Sequence, residues 1–106
     1  MPFFTVDDLP EKEPIQGFEG RFVHADNLTV AHWRIKANSM APLHAHPHEQ
    51  VTFSVEGEFE LTIAGETRSL KPGVVAVVPP GIEHSGIAIT DCHLVDIFYP
   101  VREDYR

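Results

Sequence analysis

Runs of two-residue periodicity, each cut short by a glycine or proline turn, divide the chain from Arg21 onward. Asn27 to Ile35 sets Leu28, Val30 and His32 against Thr29, Ala31, Trp33 and Ile35, as side chains alternate across a strand. Gln50 to Val55 puts Val51, Phe53 and Val55 on one side, and Phe59, Leu61 and Ile63 oppose Glu58, Glu60 and Thr62. The turn Ala64-Gly65-Glu66 closes a hairpin onto Thr67 to Leu70. Lys71-Pro72-Gly73 leads into the apolar run Val74 to Val78, Pro79-Pro80-Gly81 into His84 to Ile89, and Cys92 to Tyr99 is the last run. No stretch carries a helical period. About eight or nine short strands at this spacing predict an all-β sandwich or barrel.

At 106 residues the chain is the size of one domain. Residues 1–20 read as an N-terminal arm ahead of a domain over 21–106. In that arm Phe3 to Val6 is expected to make a short strand, and Pro10, Pro14, Gly17 and Gly20 exclude a helix. The 8 basic residues against 16 acidic ones give a net charge of −8, which repels phosphate backbones and anionic lipid. Neither nucleic acid nor a membrane is therefore expected as a partner. With Cys92 the only cysteine, an intramolecular disulfide and a thiolate metal cluster are both excluded. The first residues lack the basic and apolar stretches of a signal peptide, so a cytoplasmic location is expected.

Seven histidines are many for this length, and three fall in Leu43-His44-Ala45-His46-Pro47-His48-Glu49-Gln50. On a strand His44 and His46 share a face, so their imidazoles can meet one ion. Gln50 has the same parity, and His84 follows the Pro-Pro-Gly turn. Imidazole and amide oxygen suit zinc, nickel, iron, cobalt or manganese. His48 is expected at the mouth of the barrel, and His24, His32 and His93 on strand surfaces or in hydrogen bonds. Leu94, Asp96 and Phe98 share one face of the last strand, where a carboxylate is costly unless it is paired or working. A structural ion pair of Asp96 with Arg102 or Arg34 is the simplest alternative to a working role. Trp33 and Cys92 read as core.

These spacings resemble the cupins. The first cupin motif, G(x)5HxH(x)3–4E(x)6G, is matched by Asn38, His44, His46, Gln50 and Gly57. The second, G(x)5PxG(x)2H(x)3N, is matched by Gly73, Pro79, Gly81 and His84, with Ala88 in the place of the asparagine. Asparagine tolerates the left-handed turn that a glycine would occupy. The ending Asp96-Ile97-Phe98-Tyr99-Pro100-Val101-Arg102-Glu103-Asp104 resembles the D-x-F-x-P-x-R-x-D of the pectin-degradation cupins of the KdgF type, which also carry HxHPHEQ.

The resemblance implies a double-stranded β-helix, or jelly-roll barrel, enclosing one divalent transition metal ion held by His44, His46, Gln50 and His84. It implies a homodimer; the aromatic arm residues Phe3 and Phe4 are expected to pack on a second subunit or to fold back on their own sheet. It further implies an enzyme that linearises 4,5-unsaturated uronate monosaccharides from pectin or alginate to 5-keto-4-deoxyuronate. Asp96, Phe98 and Arg102 would then line the pocket of this anionic sugar. Gln50 in the place of a glutamate leaves the ion its full charge, which favours an anionic ligand and argues against a dioxygenase. A dioxygenase and a non-catalytic sugar- or metal-binding module are the alternatives.

Overall fold

A computed structural model describes residues 2–106; the first residue of the expected arm lies outside them. Among the described residues ten strands, all paired antiparallel, make two sheets. They are β1 (Glu11–Ile15), β2 (Phe18–His24), β3 (Thr29–Ile35), β4 (Met40–His44), β5 (Glu49–Glu56), β6 (Phe59–Ile63), β7 (Glu66–Leu70), β8 (Val75–Val78), β9 (His84–Ala88) and β10 (Cys92–Tyr99). One sheet runs β1-β2-β3-β10-β5-β8, the other β4-β9-β6-β7. The expected all-β jelly roll is therefore the fold.

The inner faces follow the period of two. Thr29, Ala31, Trp33 and Ile35 of β3 are buried, as are Leu94, Asp96 and Phe98 of β10. Phe18 of one sheet meets Phe59 of the other edge-to-face, with ring centroids 6.2 Å apart, and this contact joins the layers. β5 is inverted relative to a simple apolar-in pattern. Its buried residues are Gln50, Thr52 and Ser54, while Val51, Phe53 and Val55 lie on the other side. The register continues that apolar side onto β8, where Val75 and Val77 are exposed. Gln50 and Thr52 border a cavity that needs polar groups, while Ser54 donates to the Gly57 carbonyl at 2.7 Å.

The N-terminal segment differs from its reading as an arm. Phe3 to Val6 forms no strand; Val6–Asp8 is a 3-10 turn, closed by bonds from the N–H of Asp8 to Thr5 and of Leu9 to Val6. Phe3 and Phe4 are 87% and 56% exposed. Residues 11–20, by contrast, belong to the six-stranded sheet, and Phe18 is core. Their composition concealed this because β1 is an edge strand, where charge and proline are tolerated. Pro42 in the edge strand β4 had the same effect. Among the described residues no helix is long and apolar enough to cross a membrane.

Two turns depend on left-handed backbone. Asn38 has φ 71°, as its place in the motif requires. Gly57 has φ 87°, and a Cβ there would overlap the carbonyl oxygen of Asp91. The substitution Gly57→Ala is expected to destabilise the protein by about 2 kcal/mol or more, measured by urea unfolding.

Candidate metal centre

Three imidazoles converge where the sheets meet. β4 and β9 pair His44 directly with His84, and their rings are 4.2 Å apart. His46 follows β4 in the loop containing Pro47, held by the bond from the Gly81 N–H to its carbonyl. Its ring lies 4.8 Å from that of His84. One nitrogen from each of His44, His46 and His84 lies within 4.8 Å of the others.

The tautomers follow from the hydrogen bonds. Nδ1 of His44 donates to the Pro42 carbonyl at 2.6 Å, that of His46 to the His48 carbonyl at 3.1 Å, and that of His84 to the Ile82 carbonyl at 2.9 Å. A carbonyl can only accept, so each Nδ1 carries a proton, and in the neutral ring Nε2 keeps a lone pair. Nε2 of His84 is buried without a partner. Nε2 of His46 faces Oε1 of Gln50 at 3.0 Å, two acceptors neither of which can donate to the other. Such a donor set fits a cation, and the carbonyls behind it hold the rings as outer partners do in metal sites. Burial, reinforced by the Arg102 guanidinium and His84, brings His46 down to about 4. Burial lowers His84 as well. Both rings thus stay neutral, as ligation requires.

The same cavity, about 80 Å³ in volume, is bordered by Gln50, Asp96, Phe98, Arg102 and Tyr105 besides the imidazoles. His44, which is exposed, marks its opening. Trp33 donates its indole N–H to Oδ2 of Asp96 at 2.9 Å, while Oδ1 of Asp96 is buried without a partner. Burial pushes the Asp96 carboxyl above its ordinary range, opposed by the neighbouring polar side chains of Thr52, Trp33 and Gln50 and by the Arg102 charge. Phe98 packs edge-on to His46 at 5.7 Å.

All seven residues singled out in the sequence therefore border one cavity. The alternative ion pairs of Asp96 do not form among the described residues. Arg102 pairs with Asp104, and Arg34 is exposed, on the residues of β3 that alternate with the buried Trp33. His48 is outside the triad, its ring 5.5 Å from that of His46. His32 and His93 meet each other at 3.2 Å across β3 and β10, and His24 meets Thr29 at 2.9 Å. Three neighbours escaped the sequence reading: Trp33 as the partner of Asp96, Asp104 as that of Arg102, and Tyr105 over Arg102. The aromatic and acid in the tail were the available signals, but a bond from Trp33 to Asp96 joins positions 63 residues apart.

The Cupin domain family profile matches residues 31–98, which is 68 of the 106 residues. The chain is similar to a pectin degradation protein, KdgF, of Dickeya dadantii, at 26% identity over 97% of this chain and 96% of that protein. Among solved structures it is similar to KdgF from Halomonas sp., with a TM-score of 0.92 and 27% identity over 100% of this chain and 99% of the other. Oxalate decarboxylase of Bacillus subtilis shares the fold, with a TM-score of 0.81 and 21% identity over 92% of this chain and 29% of that one.

Titration with Zn²⁺, Ni²⁺ or Mn²⁺ at pH 7 is expected to raise the thermal midpoint, and a chelator to reverse the rise. Ligand at a hundredfold excess over Kd contributes about 2.7 kcal/mol. His46→Ala or His84→Ala removes the effect. Protons compete for the same lone pairs, so the metal-induced rise shrinks as pH falls toward about 4, where His46 takes its proton.

Proposed function

The chain belongs to the cupin family, and on that premise we propose that it is a metal-dependent enzyme of pectin or alginate breakdown that linearises 4,5-unsaturated uronate monosaccharides to 5-keto-4-deoxyuronate. The observation carrying this reading is the meeting, in one cavity, of a neutral metal-ligand set, a buried carboxyl with a free oxygen, and an arginine. The similarity to two KdgF proteins over nearly the whole chain supports it.

In this reading His44, His46, Gln50 and His84 hold one divalent ion. The ion supplies Lewis acidity, stabilising negative charge that develops on a substrate oxygen. Arg102 binds the sugar carboxylate, for which a guanidinium is matched in charge and shape. The substrate is a cyclic enol ether with a hydroxyl at C1. Breaking the bond from C1 to the ring oxygen, with loss of the C1 hydroxyl proton, gives an aldehyde at C1 and an enolate at C5. Conversion of that enolate to the ketone adds a proton at C4. The two cancel, so one group that gives and takes a proton completes the reaction. Asp96 is that group, acting through Oδ1, because Trp33 occupies Oδ2. A carboxyl raised by burial exchanges protons closer to neutral pH than an exposed one does. Phe98 walls this exchange from water.

The assay follows ultraviolet absorbance of the conjugated C4=C5 bond in unsaturated galacturonate, against its spontaneous loss. Metal-loaded protein is expected to accelerate the decay. Asp96→Asn, which keeps the shape beside Trp33, is expected to lower that acceleration by about a hundredfold or more. Metal-loaded, folded protein that only matches the spontaneous rate overturns the reading.

The partner proposed for this enzyme is a second copy of itself, seated on the outer face of β5 and β8. Val51, Phe53, Val55, Val75 and Val77 on that face carry no charge, whereas the chain as a whole carries −8. Two copies meet there through these apolar side chains, with Glu49 of β5 at the margin of the face. Light scattering is expected to give a dimer for the natural chain and a monomer for Phe53→Glu; a monomeric natural chain overturns this.

A further inference from the structure

The 3-10 turn Glu103–Tyr105 carries an ion pair that the proposed reaction leaves without a task. Nε of Arg102 donates to Oδ1 of Asp104 at 2.9 Å, and Nη2 donates to Oδ2 at 2.7 Å. This is a two-pronged grip on one edge of the guanidinium, between residues two apart in the chain. Cζ of the same guanidinium lies 4.6 Å from the centre of the Phe98 ring and 4.2 Å from that of Tyr105. Tyr105 is itself fixed, stacked on Phe22 at 4.7 Å and edge-on to Trp33 at 5.9 Å. The main chain is anchored too, since the Arg102 N–H donates to the Thr29 hydroxyl at 2.8 Å. The Arg102 side chain is 8% exposed and borders the cavity, while that of Asp104 is 57% exposed.

An arginine normally turns about several bonds, and fixing it costs entropy at the moment of binding. Here two rings and one carboxylate fix it beforehand. The grip uses Nε and Nη2 and leaves Nη1 outside it.

We propose that Asp104 is a positioning residue, which pins Arg102 by its Nε–Nη2 edge and so presents the Nη1 end to the carboxylate of a sugar acid in the cavity. The assignment rests on the uronate reading above. Its sign makes it testable. Asp104 is an anion beside a site for anions, so by Coulomb's law alone its removal strengthens binding of a carboxylate. If Asp104 merely occupied the arginine in competition with the ligand, removal would strengthen binding again. Only lost orientation weakens it.

The experiment measures binding of D-galacturonate and of D-galactose, an uncharged sugar of the same ring size, to metal-loaded protein by calorimetry. The natural chain is expected to favour galacturonate. Asp104→Asn keeps the side-chain shape and is expected to weaken galacturonate binding about tenfold, with galactose binding unchanged. Asp104→Glu, which restores a carboxylate, is expected to recover part of the loss. Metal-dependent thermal midpoints establish that each variant is folded and loaded. If the natural chain favours galacturonate and the Asn variant binds it equally or more tightly, the positioning role is overturned and the uronate reading stands. If the natural chain binds the two sugars alike, both fall.

Discussion

The three hydrogen bonds from imidazole Nδ1 to main-chain carbonyls organise the rest of the site. Each places a proton on Nδ1 and a lone pair on Nε2, and the pairing of His44 with His84 across β4 and β9 aims two of those lone pairs together. Without the carbonyls the rings could take either tautomer, and a buried Nε2–H on His84 would then lack an acceptor. The carbonyls belong to residues one turn or less away, Pro42, His48 and Ile82, so the ligand geometry is built locally and then docked by sheet pairing.

That arrangement imposes a polar interior, which accounts for the inversion of β5. Gln50 and Thr52 face inward because an imidazole cluster and a buried carboxyl need polar neighbours, and Ser54 faces inward to donate to the Gly57 carbonyl. The surrounding core carries the stability. Phe18, Phe59, Trp33 and Phe22 pack edge-to-face around the cavity wall. Trp33 serves both purposes, with its ring in the core and its N–H on Asp96. A carboxyl held this way has one oxygen committed and one free, the asymmetry that a proton-transferring group requires. The C-terminal turn completes the wall, because Tyr105 spans from Phe22 to Arg102.

The alternation of residues and the glycine and proline turns sufficed for the all-β class, for the inner faces of β3 and β10, and for the strands from β5 onward. The edge strands β1 and β4 were harder to read. A strand with one free edge and two wet faces needs neither apolar alternation nor freedom from proline, and Glu11-Lys12-Glu13-Pro14-Ile15 has neither. Phe3 to Val6 failed in the opposite sense, since its residues favour a strand but no neighbouring strand pairs with it.

For the candidate site, the residue types and their spacing pointed to the histidines that converge, His44, His46 and His84, and strand parity, a local property, gave the inward face of Asp96 and Phe98. They could not decide what Asp96 and Arg102 would meet. Charge complementarity alone pairs those two with each other. Tertiary structure gave Asp96 to an indole 63 residues away, and Arg102 was left to its near neighbour Asp104, two residues on. The physical reason is reach. Hydrophobic period and turn chemistry act over a few residues, whereas the choice among several possible partners depends on which sheets stack and at what register.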